Sequence, residues 1–264
     1  ADFFGTTWPG TGAYTSTGTP AAATVTITDS YGTEVTAKKD PKIVVFNSSV
    51  CTIPEAFGKT GNIVGAYGSL ATKYSVPSCG SWNSVEAEAV LATGADVVIG
   101  YKNYTGETTK AALEAAGVTC VFLELSAADN AANEVAAMGK LFGCETKANA
   151  FVGLYNQYDA LLTERLAGVT KKNVYVEGTS SSNKTANSTT AAHTLITGAG
   201  ANNIAASNET QYPARDLEWL ITQNPDAIVK LWGSSSTLSS ELYSTYKTGL
   251  AGVAAADSGK VIML

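Results

Sequence analysis

TKANAFVGLYNQYDALLTERLAG, residues 146–168, is the stretch around which the chain is organised. Its large apolar residues fall at Phe151, Leu154, Tyr155, Tyr158, Leu161, Leu162 and Leu166. Spacings of three and four place them in one stripe at the helical period. The segment holds no proline, its one internal glycine is Gly153, and Gly168 stops it. At 1.5 Å per residue such a helix spans about 34 Å, the width of a small domain. The chain before it and the chain after it look like two versions of one pattern, so it reads as a strut. The expected organisation is a tether over 1–23, an N-terminal lobe over 24–145, a connecting helix over 146–168 and a C-terminal lobe over 169–264.

On the N-terminal side, TVTITD (24–29) alternates, turns at Ser30, Tyr31 and Gly32, and returns over 34–37 as a hairpin. KIVVF (42–46) is a continuous apolar run, the pattern of a strand buried on both faces. A short helix to Phe57, a strand NIVGAY (62–67) and a polar loop over 68–82 follow. Then come a helix over 85–93, the strand DVVIGY (96–101), a helix over 108–116, the strand VTCVFLEL (118–125) and an alanine-rich helix over 130–142. Past the strut the pattern restarts with KNVYVE (172–177), a Ser/Thr/Asn-rich loop and a helix over 191–197. It continues with a helix over 216–223, the strand DAIVKLW (226–232), a mostly helical 239–255 and a last strand over 260–264. Strands alternating with helices of this length define an α/β protein with mainly parallel sheets flanked by helices.

The two halves echo each other in detail. EAVLATGADVVIG from Glu88 and EWLITQNPDAIVK from Glu218 match at a constant offset, pairing Glu88 with Glu218, Val90 with Leu220 and Asp96 with Asp226. Each copy is a short helix, a turn, an aspartate and an apolar strand. Repetition of a whole lobe points to two lobes rather than a solenoid. Ligands in open parallel sheets sit beyond the carboxyl ends of the strands, and small-molecule sites concentrate between domains.

Composition removes several classes of function. The chain is acidic, with a net charge of -6, and holds only two arginines, Arg165 and Arg215, which argues against nucleic acid. No run of about 18 apolar residues exists to span a bilayer. With one histidine, His193, and no CxxC pair, no zinc site of the usual ligands is expected, and no cofactor. His193 sits in TAAHTLITG, the context of a packed or surface histidine rather than a metal ligand. GAGANN (198–203) follows a helix and lacks the third glycine of a dinucleotide fingerprint, so it reads as a helix stop. No GxSxG, HExxH or phosphate loop occurs, and no carboxylate pair is placed for acid–base work. The chain reads as a binder rather than an enzyme.

Residues 1–23 are Gly/Thr/Ser/Pro-rich and aperiodic, as in a tether from a membrane anchor, with Phe3, Phe4 and Trp8 able to dock on the body. The start at Ala1 suggests a mature or trimmed form. Four cysteines in a Ser/Thr-rich, charge-poor chain suggest an oxidising compartment. Order along the chain suggests the disulfides Cys51–Cys79 and Cys120–Cys144, each worth roughly 3–4 kcal/mol in the chain-entropy account; four buried free thiols are the alternative. Sequons begin at Asn47, Asn103, Asn183, Asn187 and Asn208, a number that chance mostly explains at this Ser/Thr content.

ITDSYGTEVTAKKDPKIVVFNSSVCTIPEAFG (27–58) resembles the opening of the periplasmic-type binding proteins that serve ABC importers of siderophores, haem and cobalamin. The two helix–aspartate–strand echoes are similar to that family's paired segments, and the resemblance runs from about residue 24 to 264. The N-terminal copy departs from the pattern in reading TGAD without a proline. The chain ends at KVIML (260–264), where family members continue into further helices, so a truncated or small C-terminal lobe is expected.

The resemblance implies two α/β lobes joined by one rigid helix, a ligand held between them, an extracytoplasmic location, and an ABC permease as partner. It implies a docking role for one exposed glutamate per lobe, at Glu88 and Glu218. A cleft between the lobes would be rimmed by Asn47, Ser48, Ser49, Tyr67, Ser81, Trp82, Tyr101, Lys102, Asn103 and Tyr104 from the first lobe. Thr179, Ser180, Tyr212, Trp232 and Gly233 would rim it from the second. Flat aromatics suit a large, partly apolar ligand, and hydroxyls and amides orient it. The scarcity of arginine favours a neutral or weakly charged guest, a corrinoid or metal chelate, over a strongly anionic one. The alternative reading is a surface-anchored sensor or adhesion module with the same fold and no transporter.

Overall fold

The computed structural model describes residues 23–125, 128–178, 184–231 and 239–264. The chain opens with the antiparallel hairpin β1 (Thr24–Thr28) and β2 (Glu34–Lys38), in register from Thr24 opposite Lys38 to Thr28 opposite Glu34. The first lobe then runs β3 (Ile43–Val45), α1 (Ser48–Phe57), β4 (Ile63–Ala66), α2 (Gly68–Tyr74), β5 (Gly80–Ser81), β6 (Ser84–Val85), α3 (Ala87–Ala92) and β7 (Val97–Gly100). It closes with α4 (Lys102–Thr105), α5 (Glu107–Ala115), β8 (Thr119–Phe122) and α6 (Ala128–Phe142). The long helix α7 (Glu145–Leu166) follows. The second lobe is β9 (Asn173–Glu177), α8 (Ala191–Gly198), β10 (Asn202–Asn203), α9 (Leu217–Gln223), β11 (Ala227–Lys230), α10 (Ser240–Thr248), α11 (Ala254–Asp257) and β12 (Val261–Met263).

Each lobe is built on a four-stranded parallel sheet, ordered β4-β3-β7-β8 in the first and β10-β9-β11-β12 in the second. Counted within its own lobe, each sheet has the order 2-1-3-4. The duplication read from the echo is therefore a duplication of topology. The order reverses at the first strand, so the loops leaving β3 and β7, and those leaving β9 and β11, part at a switch point where a crevice forms.

The echoed aspartates explain why the motif repeats. Asp96 Oδ2 accepts from the Lys42 backbone N–H at 2.8 Å, and Asp226 Oδ2 accepts from the Asn173 N–H at 2.8 Å. In the reverse direction the Asp96 N–H donates to Lys42 O at 2.9 Å and the Asp226 N–H to Asn173 O at 2.7 Å. Each aspartate thus clasps the start of the neighbouring strand, satisfying backbone groups at the point where the parallel ladder begins.

In the first lobe both sheet faces are covered. Ile43, Val45, Val97, Ile99 and Val121 pack against α1, α6 and the hairpin, while Val44, Val98 and Cys120 pack against α3 and α5. These strands are β-branched and buried throughout, as in a two-sided parallel sheet. In the second lobe Tyr175, Ile228 and Val261 pack under α9 and α11, and Val174 and Val176 under α8.

The sheet also decides the cysteines. Cys51 belongs to the core on one face and Cys79 to the core on the other; Cys144 and Cys120 are divided in the same way. The disulfides suggested by order along the chain are therefore corrected: all four thiols are free. Burial pushes both Cys51 and Cys120 up to about 11, so they are neutral, unreactive thiols near neutral pH.

Helix α7 is unbroken over its 22 residues. At its start Gly139 of α6 lies so close that an added Cβ would overlap the Cβ of Ala148, and Lys147 Nζ donates to Phe57 O at 2.7 Å. At its end Leu166 packs on Gly200 in the second lobe. Its apolar stripe is not core: Phe151, Leu154, Tyr158, Leu161 and Leu162 are exposed, and Ala148 is its one buried residue. The region 68–82, read as a loop, holds α2 and the small hairpin β5–β6. Gly68 opens that helix rather than breaking the chain, and Ser75 ends it in the left-handed region at φ 55°. The segment 239–255 is two helices, parted by the turn around Gly249 and Gly252.

Candidate functional site

At the switch point of the first lobe, β3 runs into Asn47, β7 into Tyr101, and β8 into Leu123 and Glu124. Asn47 caps α1 by accepting from the Ser49 N–H at 2.9 Å. Its amide donates to Leu123 O at 3.3 Å and Glu124 O at 2.7 Å. Asn47 is 1% exposed, so this rim candidate is turned inward and braces the loops. Ser48 and Ser49, in the first turn of α1, are exposed.

Three of the other candidates meet. Trp82, in the turn between β5 and β6, lies edge-on to Tyr104 with ring centroids 5.1 Å apart. Tyr104 lies edge-on to Tyr101 at 5.6 Å. Trp82 and Tyr104 are 51% and 43% exposed, so the row presents aromatic surface to solvent and buries its inner end at Tyr101. Edge-to-face geometry is the preferred arrangement of aromatic pairs and fixes the rings against one another. The Tyr101 hydroxyl titrates above its ordinary range, first because it is partly buried and then because of the Glu124 charge, with Tyr67 and Tyr104 contributing. Tyr67, half-buried at the end of β4, belongs to this corner. Ser81 is exposed and bonded to Asn83 at 2.9 Å.

Two further residues complete the corner, Tyr31 and Glu124. The Tyr31 hydroxyl makes a short hydrogen bond to Glu124 Oε1, its ring lies edge-on to Phe122, and Lys102 Nζ sits 5.1 Å above its face. Burial, then the Glu124 bond, raise the tyrosine well above its ordinary range, so it stays protonated. Tyr31 was read only as a turn residue; its aromatic ring in a hairpin turn was the available signal.

In the second lobe the loop after β9 is stitched to the loop before α9. Thr185 N–H donates to Pro213 O and Asn187 N–H to Gln211 O, both at 3.0 Å. Tyr212 is held between those carbonyls, 53% exposed. Thr179, Ser180, Trp232 and Gly233 lie outside the described residues, as do Phe3, Phe4, Trp8 and the sequon at Asn183. His193 is half-buried on α8, its ring nitrogen 3.4 Å from the Asn203 amide. Among the described residues no cluster of His, Cys, Asp and Glu could hold a metal ion.

At the end of β9 and β11 stands a group the sequence reading passed over. Glu177 and Lys230 are paired at 3.0 Å with side chains 4% and 7% exposed. Lys230 donates to Gly178 O at 2.6 Å, and the Tyr246 hydroxyl donates to Glu177 Oε2 at 2.9 Å. A charge in each apolar run, Glu177 closing KNVYVE and Lys230 inside DAIVKLW, was the signal.

Glu88 and Glu218 are exposed and lie in the first turns of α3 and α9, where the helix dipole favours an anion. Both helices precede a sheet strand, so both glutamates lie on the side of the sheet carboxyl ends.

A family model described as periplasmic binding protein matches residues 43–264. The chain is 22% identical over 205 residues to the vitamin B12-binding protein of Salmonella paratyphi A, covering 77% of each chain. Among solved structures it superposes on the periplasmic haem-binding protein HutB of Vibrio cholerae with a TM-score of 0.68 at 19% identity, covering 84% of this chain and 88% of that one. It superposes on MolA of Haemophilus influenzae, bound to molybdate, with a TM-score of 0.71 at 19% identity, covering 91% and 83%. The structural likenesses are likenesses of fold, and they agree with the two parallel sheets and the helix between them. With the family model covering both sheets, the chain belongs to the periplasmic binding protein family.

Proposed function

We propose that this protein is an extracytoplasmic solute-binding protein that captures a corrinoid, haem or other metal chelate between its lobes and delivers it to an ABC importer. The observation that carries the ligand class is the row Trp82–Tyr104–Tyr101 at the carboxyl end of the first sheet. Exposed aromatic surface of this kind binds a large ligand with an apolar face, and nearby hydroxyls and Lys102 orient its polar edge. The relatives named above bind vitamin B12, haem and molybdate, which supports a compact metal-containing guest without choosing among them. Membrane attachment, in this reading, runs only through the N-terminal segment.

Titrating the protein with cyanocobalamin and with haemin, following tryptophan fluorescence, tests the ligand class. One of them saturates at one per chain, and Trp82→Ala together with Tyr104→Ala weakens it about tenfold or more, consistent with the loss of two aromatic contacts. Unchanged affinity in the double variant removes the aromatic row from the site. Delivery is tested separately: Glu88→Ala with Glu218→Ala retains ligand affinity but loses uptake. Normal uptake by that variant overturns the docking role and favours the sensor or adhesion reading.

A further inference from the structure

The second lobe contains a cavity of about 300 Å³ between α9, α10 and the sheet, lined by Tyr175, Glu177, Arg215, Leu220, Tyr246 and Leu250 among others. None of the cleft-rim candidates among the described residues lines it. Two buried side-chain polar atoms among the described residues lack a hydrogen-bond partner, Glu177 Oε1 and Arg215 Nε, and both residues belong to this one cavity. Buried polar atoms without partners are uncommon, and each calls for an occupant.

The two atoms ask for opposite things. Glu177 is 3% exposed; its Oε2 is taken by Tyr246, while Oε1 stands beside Lys230 at 3.0 Å without accepting a hydrogen bond. Oε1 therefore has room for a donor. Arg215 stacks on the Trp219 ring at 4.9 Å and spends one terminal nitrogen on Ala214 O at 3.4 Å. Its Nε–H has no acceptor, and among the described residues its charge has no carboxylate pair. A carboxylate from a ligand would supply both, since guanidinium and carboxylate match as a fork. Besides Thr245 and Asp216, whose Oδ1 is taken by the Trp219 N–H at 2.7 Å, the wall between these ends is apolar, made by Tyr175, Leu217, Leu220 and Leu250. A volume at the lower end of ligand pockets, mostly apolar with a few convergent polar groups, is the general form of a small-molecule site.

We propose that this cavity is a second binding site, specific for a compact zwitterion with an apolar body, of the size and kind of an aliphatic α-amino acid. The ammonium faces Glu177, the carboxylate faces Arg215, and the side chain lies against Leu220 and Leu250. The proposal does not rest on the identity of the cleft ligand and stands whether that ligand is a corrinoid, a haem or neither.

Calorimetric titration of the full chain with L-leucine tests it, with isoamylamine and 4-methylpentanoate as analogues lacking the carboxylate and the amine. Leucine binds at one per chain, and each analogue binds about tenfold weaker or worse, the loss of one charged contact. Arg215→Met, which keeps the length of the stem, weakens leucine at least about fivefold and leaves isoamylamine unchanged. Gly249→Leu fills the cavity from the C-cap of α10, where the backbone is right-handed and a Cβ meets only the Tyr246 and Thr245 carbonyl oxygens at 3.4 and 3.8 Å, and it abolishes binding. If leucine shows no saturable binding, the cavity holds only water and the proposal falls. It also falls if both analogues bind as well as leucine, or if binding survives either substitution.

Discussion

The two lobes share a strand order and place opposite chemistry at its most protected point. Ladder register aligns them: Val97 lies beside Ile43 in the first sheet, and Ala227 beside Val174 in the second. Counted up the strands, Phe46 corresponds to Glu177 and Gly100 to Lys230. In the first lobe the large ring and the glycine fit together, with room for a Cβ on Gly100 only 3.2 Å from the Phe46 Cβ. In the second lobe the same two positions hold a buried ion pair. Topology, then, is set by features the lobes share, the apolar strands and the clasping aspartates. The end of the sheet is free to be a dry aromatic corner in one lobe and a charged, hydrogen-bonded one in the other.

The sharpest way to break this comparison is to remove one charge. Lys230→Met leaves Glu177 buried without its cation, and destabilisation by about 3–5 kcal/mol is expected in chemical denaturation. Glu177→Leu added to Lys230→Met is expected to cost less than Lys230→Met alone, because a matched apolar pair at this place is what the first lobe already uses. A double variant worse than the single would mean that the ion pair specifies the second lobe rather than merely occupying it. Next in size, Gly100→Ala pushes a methyl against Phe46 and is expected to cost about 1–2 kcal/mol by overpacking, read from the shift in denaturation midpoint.

The smallest effect concerns the clasping aspartates. Asp96 pairs with Lys38 at 2.8 Å and is 23% exposed, while Asp226 stands 3.9 Å from Lys172 and is 41% exposed. Partial burial alone would raise the Asp96 carboxyl, but the Lys38 and Lys42 hydrogen bonds and charges outweigh it, so it lies below its ordinary range. Its contribution is therefore present above the unfolded value of about 3.9 and is lost as pH falls through the lower folded value. Denaturation midpoints followed downward from about pH 5 through this range should fall less for Asp96→Asn than for the parent. At neutral pH Asp226→Asn should cost less than Asp96→Asn; equal costs would remove the distinction between the two clasps.

What could be read from the sequence was local. The echo around Glu88, Asp96, Glu218 and Asp226 survives because a helix, a turn and a strand leave their periods within a dozen residues. The strut was legible for the same reason, though not the exposure of its stripe, since periodicity marks a face without saying what covers it. Partnerships between distant strands were not legible. Glu177 ends one predicted strand and Lys230 lies inside another, and nothing local pairs them; the ladder sets them side by side. The cysteine pairs suggested by order along the chain failed because a sheet passes between their members. Of the aromatic corner, Trp82, Tyr101 and Tyr104 were named from their place in loops after strands, and the structure brings the three rings together. Tyr31 joins that corner from a hairpin outside the sheet, so no place after a sheet strand marks it, and the capping role that turns Asn47 inward is not visible in periodicity.

Native mass spectrometry of the protein isolated from its source bears most directly on the proposal that the lobe pair traps a metal-containing guest. The expected spectrum shows one chelate or corrinoid per chain, released when Trp82 and Tyr104 are both replaced by alanine. A chain that emerges free of any such guest, or a guest retained undiminished by the double variant, would contradict the account.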